Sequence, residues 1–205
     1  MNLPNALTIL RIFFVPLLVA ALVQETVGFQ VGDVRVTNDW LSLALIDGYR
    51  VPHWVGVTGY VAFVCAMTVG RVTGPPVLDR FGRAPVLWGS SALAATGTLL
   101  VILGGHLAVV GVGIVLWGLG ASLGFPVGMS AAADDPVRAA ARVSVVSTIG
   151  YSAFLAGPPL IGLLAQHVGY RHALLVVIVP IAVGLCVVGA AAPLKAATVS
   201  PPAQD

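Results

Sequence analysis

Charged residues punctuate this chain at wide intervals and leave long uncharged stretches between them. Ala84 to Gly105 contains no Asp, Glu, Lys or Arg, and neither does Leu107 to Ala133. Only His106 separates the two, within Gly104-Gly105-His106, which reads as a tight turn. Val143 to Tyr170 and Ala173 to Leu194 are further uncharged stretches. Val51 to Gly70 is another, continuing past Arg71 to Val77, and Leu3 to Val23 is interrupted only by Arg11. A helix needs about 20 apolar residues to cross a hydrocarbon core of about 30 Å, so each stretch is long enough to span. Membrane β-strands would instead show runs of about ten residues with alternating polarity, a pattern that is missing here. The pattern therefore predicts an all-α integral membrane protein with about six transmembrane helices.

Composition excludes the soluble alternative. Of 205 residues, 58% are hydrophobic and 9% charged, against about 25% charged in soluble domains. The mean hydropathy is +0.99. A chain this apolar has too little polar surface to cover itself in water, so soluble catalysis is excluded. The net charge of +2 comes from cations spread along the chain, with no basic patch for nucleic acid. Cys65 and Cys186 lie inside apolar runs and read as small buried thiols. No metal-ligand spacing occurs, and no cofactor is expected.

Four regions follow. Residues 1–24 form an amino-terminal membrane segment. Residues 25–50 form a polar linker whose short apolar piece, Trp40 to Ile46, is too short to span alone and is re-entrant, interfacial or part of a broken helix. Residues 51–194 form a five-helix bundle, and residues 195–205, with Pro201-Pro202, a disordered cytoplasmic tail. Gly111, Gly113, Gly118, Gly120 and Gly124 suit close helix packing in lipid. Pro126, and Pro158 with Pro159, suggest kinks. Arg80, Arg83, Arg138, Arg142 and Lys195 fall on one side if the helices alternate, and the positive-inside rule makes that side cytoplasmic. Both termini are then cytoplasmic, in a multi-pass protein of the cell (inner or plasma) membrane. If Asp39 to Gly48 also crosses, the amino terminus lies outside.

The most informative motif is Arg71-Val72-Thr73-Gly74-Pro75-Pro76-Val77-Leu78-Asp79-Arg80-Phe81-Gly82-Arg83. Gly82 permits a tight turn. Arg80 and Arg83 hold the loop at an anionic surface, and Asp79 can pair with an Arg or with a helix amino terminus. The plainer reading is a solvated loop that sets topology. Asp79 to Arg83 resembles the G-x-x-x-D-R-x-G-R loop of the major facilitator superfamily, with Pro75 where the family has Gly and Gly74 adjacent. Gly157-Pro158-Pro159-Leu160-Ile161-Gly162, followed by Gly169-Tyr170-Arg171-His172-Ala173, is similar to the family's eleventh helix and its turn into the twelfth. Asn38-Asp39-Trp40-Leu41 with Asp47-Gly48 looks like the outer part of the seventh. The resemblance covers about residues 38–194 and implies the carboxy-terminal half of a two-bundle, twelve-helix transporter.

The resemblance makes Gly74, Asp79, Arg80, Gly82 and Arg83 a conformational-switch loop. Asp39, Trp40, Tyr60, Trp117 and Tyr151 are candidates for a substrate path: ionisable residues within membrane helices are functional suspects, and the aromatic ones can line such a path. Interfacial or packing roles are the alternative for each. Gly157, Pro158, Pro159 and Gly162 are candidates for kinks and packing. Arg71 can snorkel to the cytoplasmic surface.

The opening, Asn2-Leu3-Pro4-Asn5-Ala6-Leu7-Thr8-Ile9-Leu10-Arg11, resembles the start of CDP-alcohol phosphatidyltransferases. The acidic motif that would bind their divalent metal is absent: Asp47-Gly48 is followed by Tyr49-Arg50. The expected function is a secondary-active transporter of major facilitator type, or a truncated half of one, moving a small solute by alternating access. The alternatives are a remnant, a membrane scaffold or a phosphatidyltransferase fragment. The expected partners are the lipid bilayer, an unidentified small solute, and either a second copy or a separate amino-terminal half.

Overall fold

The computed structural model of the chain describes residues 29–31, 34–36 and 40–191. The opening segment, Asp39 and the carboxy-terminal tail lie outside the described residues. The first described element is a hairpin that the polar linker did not announce. Its strands, β1 (Phe29–Val31) and β2 (Val34–Val36), are antiparallel, with Phe29 opposite Val36.

All other described elements are helical. They are α1 (Trp40–Tyr49), α2 (His53–Phe81), α3 (Arg83–Leu103), α4 (Leu107–Ala121), α5 (Gly124–Ala132), α6 (Ala139–Ala173) and α7 (Ile178–Val187). Short 3-10 turns, Leu174–Val177 and Val188–Ala191, flank α7. The helical stretches His53–Phe81, Arg83–Leu103, Leu107–Ala132 and Ala139–Val187 are each long and apolar enough to cross a membrane. The last has 49 residues, about 74 Å of helix at about 1.5 Å per residue, far more than one crossing needs. It kinks at Gly169, where φ is 78° and ψ is 156°. Gly82, the single residue between α2 and α3, has nearly the same backbone, at φ 80° and ψ 166°. A side chain is strained at such a positive φ, so glycine makes both sharp turns.

The prolines behave differently from one another. The α4–α5 helix breaks at Ser122 and Leu123, and Pro126 then sits in the first turn of α5, where a missing N–H costs little. Pro158 and Pro159 lie inside α6 without breaking it, and the departure from helical geometry comes later, at Gly169. The expected turn at Gly104-Gly105-His106 is present between α3 and α4.

The antiparallel pair α3–α4 is the most intimate contact in the bundle. A Cβ on Gly97 would stand 2.3 Å from the Trp117 nitrogen, and one on Gly120 would stand 2.3 Å from the Ala94 nitrogen. A Cβ on Gly113 would stand 2.9 Å from the Gly97 carbonyl oxygen, and one on Gly118 would stand 2.5 Å from the Phe63 carbonyl oxygen of α2. Backbone therefore lies on backbone, and dispersion contacts do the work that the hydrophobic effect cannot do in lipid. Gly111 and Gly124 face open space and take no part.

α1 is drawn into this bundle. Trp40, Leu41, Ala44 and Leu45 repeat at helical spacing and bury one face against Val101, Ile102, Val110, Ile114 and Leu174. Ser42 Oγ donates to the Gly56 carbonyl at 3.0 Å. A second cluster, Val86, Leu87, Leu123, Val127 and Val188, fills the opposite end. Cys65 and Cys186 are exposed on the bundle surface rather than buried. A lipid-facing position is as apolar as a core position, so hydropathy did not separate the two.

Candidate functional site

Gly74, Asp79, Arg80, Gly82 and Arg83 lie toward one end of the bundle. Gly74 is buried, and a Cβ there would meet Leu123 Cδ2 at 2.3 Å. Close helix contact in this stretch of α2 is thus made by Gly74 although Pro75 holds the position of the family glycine. Arg83 opens α3 and reaches the loop after α5. Its Nη1 donates to Asp134 Oδ2, and its Nη2 donates to Ser130 Oγ at 3.1 Å. That hydrogen bond, with the charge of Arg83 beside it, holds the Asp134 carboxyl below the usual carboxylate range. In the same loop Asp135 pairs with Arg142 at 3.5 Å. Asp79 lines a cleft of about 420 Å³ with Arg71, Pro75, Arg83, Pro126 and Ser130. Arg80 is exposed, its guanidinium 5.4 Å from the centre of the Phe81 ring.

Sequence reasoning missed Asp134 and Ser130. The signal was available: Asp134 lies in the loop that alternation places on the same side as Gly82, with the opposite charge to Arg83.

The second gathering is aromatic. Trp40 of α1, Tyr60 and Phe63 of α2, and Trp117 of α4 line a half-open cavity of about 190 Å³, together with Leu41, Ile161, Leu174 and Val177. Phe63 meets Trp117 edge-on with ring centres 5.2 Å apart, and Trp40 stacks on Tyr170 at 5.7 Å. Three of the five path candidates therefore converge: Trp40, Tyr60 and Trp117. Tyr151 does not join them, being 72% exposed on α6. Asp39 lies outside the described residues. Phe63 and Tyr170 were not anticipated. On α6, Gly162 is buried and Gly157, Pro158 and Pro159 are half-buried. No group of three metal-ligating side chains occurs among the described residues.

The chain matches the Major Facilitator Superfamily over residues 8–204. It belongs to that family. Membrane protein MosC of Rhizobium meliloti is 38% identical over 150 residues, 73% of this chain and 36% of that protein. An uncharacterized MFS-type transporter of Yersinia pestis is 37% identical over 62% of this chain and 34% of its own length. An uncharacterized transporter of Sinorhizobium fredii is 35% identical over 65% and 36%. The chain thus spans about a third of the length of the curated relatives it matches. No solved structure matches it. The family match begins at residue 8 and takes in most of the opening segment. The likeness of that segment to CDP-alcohol phosphatidyltransferases is not borne out. The chain is a multi-pass, helical membrane protein of a transporter family.

Proposed function

We propose that this chain forms one bundle of a two-bundle secondary transporter and moves a small solute by alternating access. In this mechanism one bundle rocks against another about a midplane site. The observation that carries the reading is the placement of two features. An uncharged aromatic cavity lies among α1, α2 and α4, and charged ties between loops lie at the end marked by Gly82 and Asp134. A solute site needs the first, and a gate that differs between two states can use the second.

The second bundle is a second copy or a separate amino-terminal half. The membrane is the cell (inner or plasma) membrane. The Gly82 end is cytoplasmic, as are both termini, because Arg80, Arg83, Arg138, Arg142 and Lys195 then satisfy the positive-inside rule.

The test begins with oligomeric mass in mild detergent and continues in liposomes. Uptake from a defined mixture of small metabolites is followed by mass spectrometry, for the native chain and for Trp117→Ala. Saturable uptake that the variant loses supports the proposal. A stably folded chain with no flux points to a scaffold, and a chain that degrades points to a remnant.

A further inference from the structure

The aromatic cavity carries a more specific reading, which rests on the transport proposal for its physiological meaning but not for its binding chemistry. Trp40, Tyr60, Phe63 and Trp117 make up half of the eight described residues that line it, in a chain only 7% aromatic. The other four are aliphatic, and none of the eight is charged. A purely apolar solute would be held as well by the Val, Leu and Ala side chains that dominate these helices. The concentration of rings asks instead for a ligand that uses π faces. Two kinds of group do so: a flat ring that stacks, and a cation.

The angle between the walls separates the two. Phe63 and Trp117 meet at 66° with ring centres 5.2 Å apart. Walls so steeply inclined make a corner rather than a slot. A flat ring stacks on one of them only, whereas a round cation touches both. Depth then narrows the kind of cation. Tyr60 and Phe63 follow the start of α2 at His53 by seven and ten residues, and Trp117 follows the start of α4 at Leu107 by ten. At about 1.5 Å per residue the cavity lies roughly 10–15 Å from the end remote from Gly82, near the middle of a hydrocarbon core of about 30 Å. An ammonium ion with N–H groups would find no charged acceptor among these walls, and its desolvation would go uncompensated. A quaternary ammonium has no N–H to leave unpaired, and its charge is spread over methyl groups that rest against aromatic faces.

We propose that the cavity is an aromatic cage for the quaternary ammonium group of a small organic cation. Its volume of about 190 Å³ exceeds the roughly 150 Å³ apolar cavity that accepts benzene, and a trimethylammonium group is about as bulky as benzene. The half-open side leaves an exit for the chain attached to that group. The depth is that at which a rocking-bundle transporter holds its solute.

The experiment uses the purified full chain in phosphatidylglycerol nanodiscs, whose lipid carries no quaternary ammonium, with empty nanodiscs as the blank. Labelled choline is the probe. It is displaced by unlabelled choline, by the neutral carbon analogue of choline (tert-butyl in place of trimethylammonium) and by ethanolamine (the charge with N–H groups). Choline is expected to bind saturably, and the other two to compete at least tenfold more weakly. Trp117→Leu keeps an apolar wall and removes a π face. It should weaken choline at least tenfold, the scale of a desolvated cation–π contact. Phe63→Leu, at the other wall of the corner, should also weaken it and decides the matter should Trp117→Leu fail to fold.

The proposal is overturned if choline does not bind, if it binds Trp117→Leu or Phe63→Leu as it binds the native chain, or if ethanolamine or the carbon analogue matches it. A carbon analogue equal to choline would mark the cavity as a plain apolar site. Solute flux without choline binding removes the cage and leaves the transporter. Choline binding without flux of any solute removes the transporter and leaves the cage.

Discussion

The Arg171 guanidinium lies 4.6 Å over the ring of Tyr49, and both residues close the carboxy-terminal end of α3. Tyr49 Oη stands 2.6 Å from the Val101 carbonyl and 2.8 Å from that of Gly104, so one proton serves two acceptors. Arg171 Nε donates to the Ile102 carbonyl between them. The last carbonyls of a helix have no partners within it, and a cation near them also opposes the helix dipole. Three segments distant in sequence are joined at the end of the bundle remote from Gly82. Gly48 makes room, since a Cβ there would stand 2.9 Å from Arg171 Cβ.

Removing this joint should loosen the bundle. Arg171→Ala is expected to lower stability by about 1–3 kcal/mol and Tyr49→Phe by about 1 kcal/mol. The double variant should lose less than the sum, because the two residues share one site. Unfolding in mixed detergent micelles measures all three. Strict additivity would mean that the ring and the guanidinium do not act together.

Glycine substitutions should separate packed positions from open ones. Gly97→Ala and Gly120→Ala each push a methyl into backbone of the facing helix and should cost about 1–3 kcal/mol or prevent folding. Gly111→Ala meets nothing within 4 Å and should change stability by less than about 0.5 kcal/mol. Equal thermal shifts for Gly97→Ala and Gly111→Ala would contradict the close α3–α4 approach.

The Arg83–Asp134 tie should release only in acid. A carboxyl whose folded pKa is depressed contributes fully above its ordinary value, about 3.9 for Asp, and loses that contribution as pH falls through the lower folded value. The distance between spin labels on the two loops should stay constant from about pH 8 to pH 5 and lengthen below about pH 4. Arg83→Ala should give the longer distance at every pH. An unchanged distance in that variant would show that the tie does not hold the loops.

The turns at Gly82 and Gly169 should both resist substitution. At φ near +80°, any L side chain is strained by about 1–2 kcal/mol. Gly169→Ala should lower the unfolding temperature while Gly157→Ala, at a helical position with open space, should not. If Gly157→Ala costs as much, the strain at Gly169 is not what matters.

Much of the fold could be read without coordinates. The starts of α2, α3 and α4, the turn at Gly104 to His106, and the gathering of the Gly82 and Asp134 loops at one end all follow from where charges fall. Lipid cannot hydrate backbone or charge, so uncharged length maps directly onto helix. Trp40, Tyr60 and Trp117, named in the sequence together with Asp39 and Tyr151, meet at one cavity. Tyr151 points elsewhere.

What the sequence determined is the set of segments and the end of the bundle that each charge occupies, because the cost of burying charge in hydrocarbon is strong and depends only on position along the chain. What the tertiary structure decided is which face of each helix meets its neighbour. Core and lipid are equally apolar, so hydropathy carries no facing signal, and Cys65, Gly111 and Tyr151 look outward while Gly97, Gly120 and Trp40 look inward. The same holds for pairs such as Arg83 with Asp134, 51 positions apart, and Arg171 with Tyr49. Only packing brings them within reach.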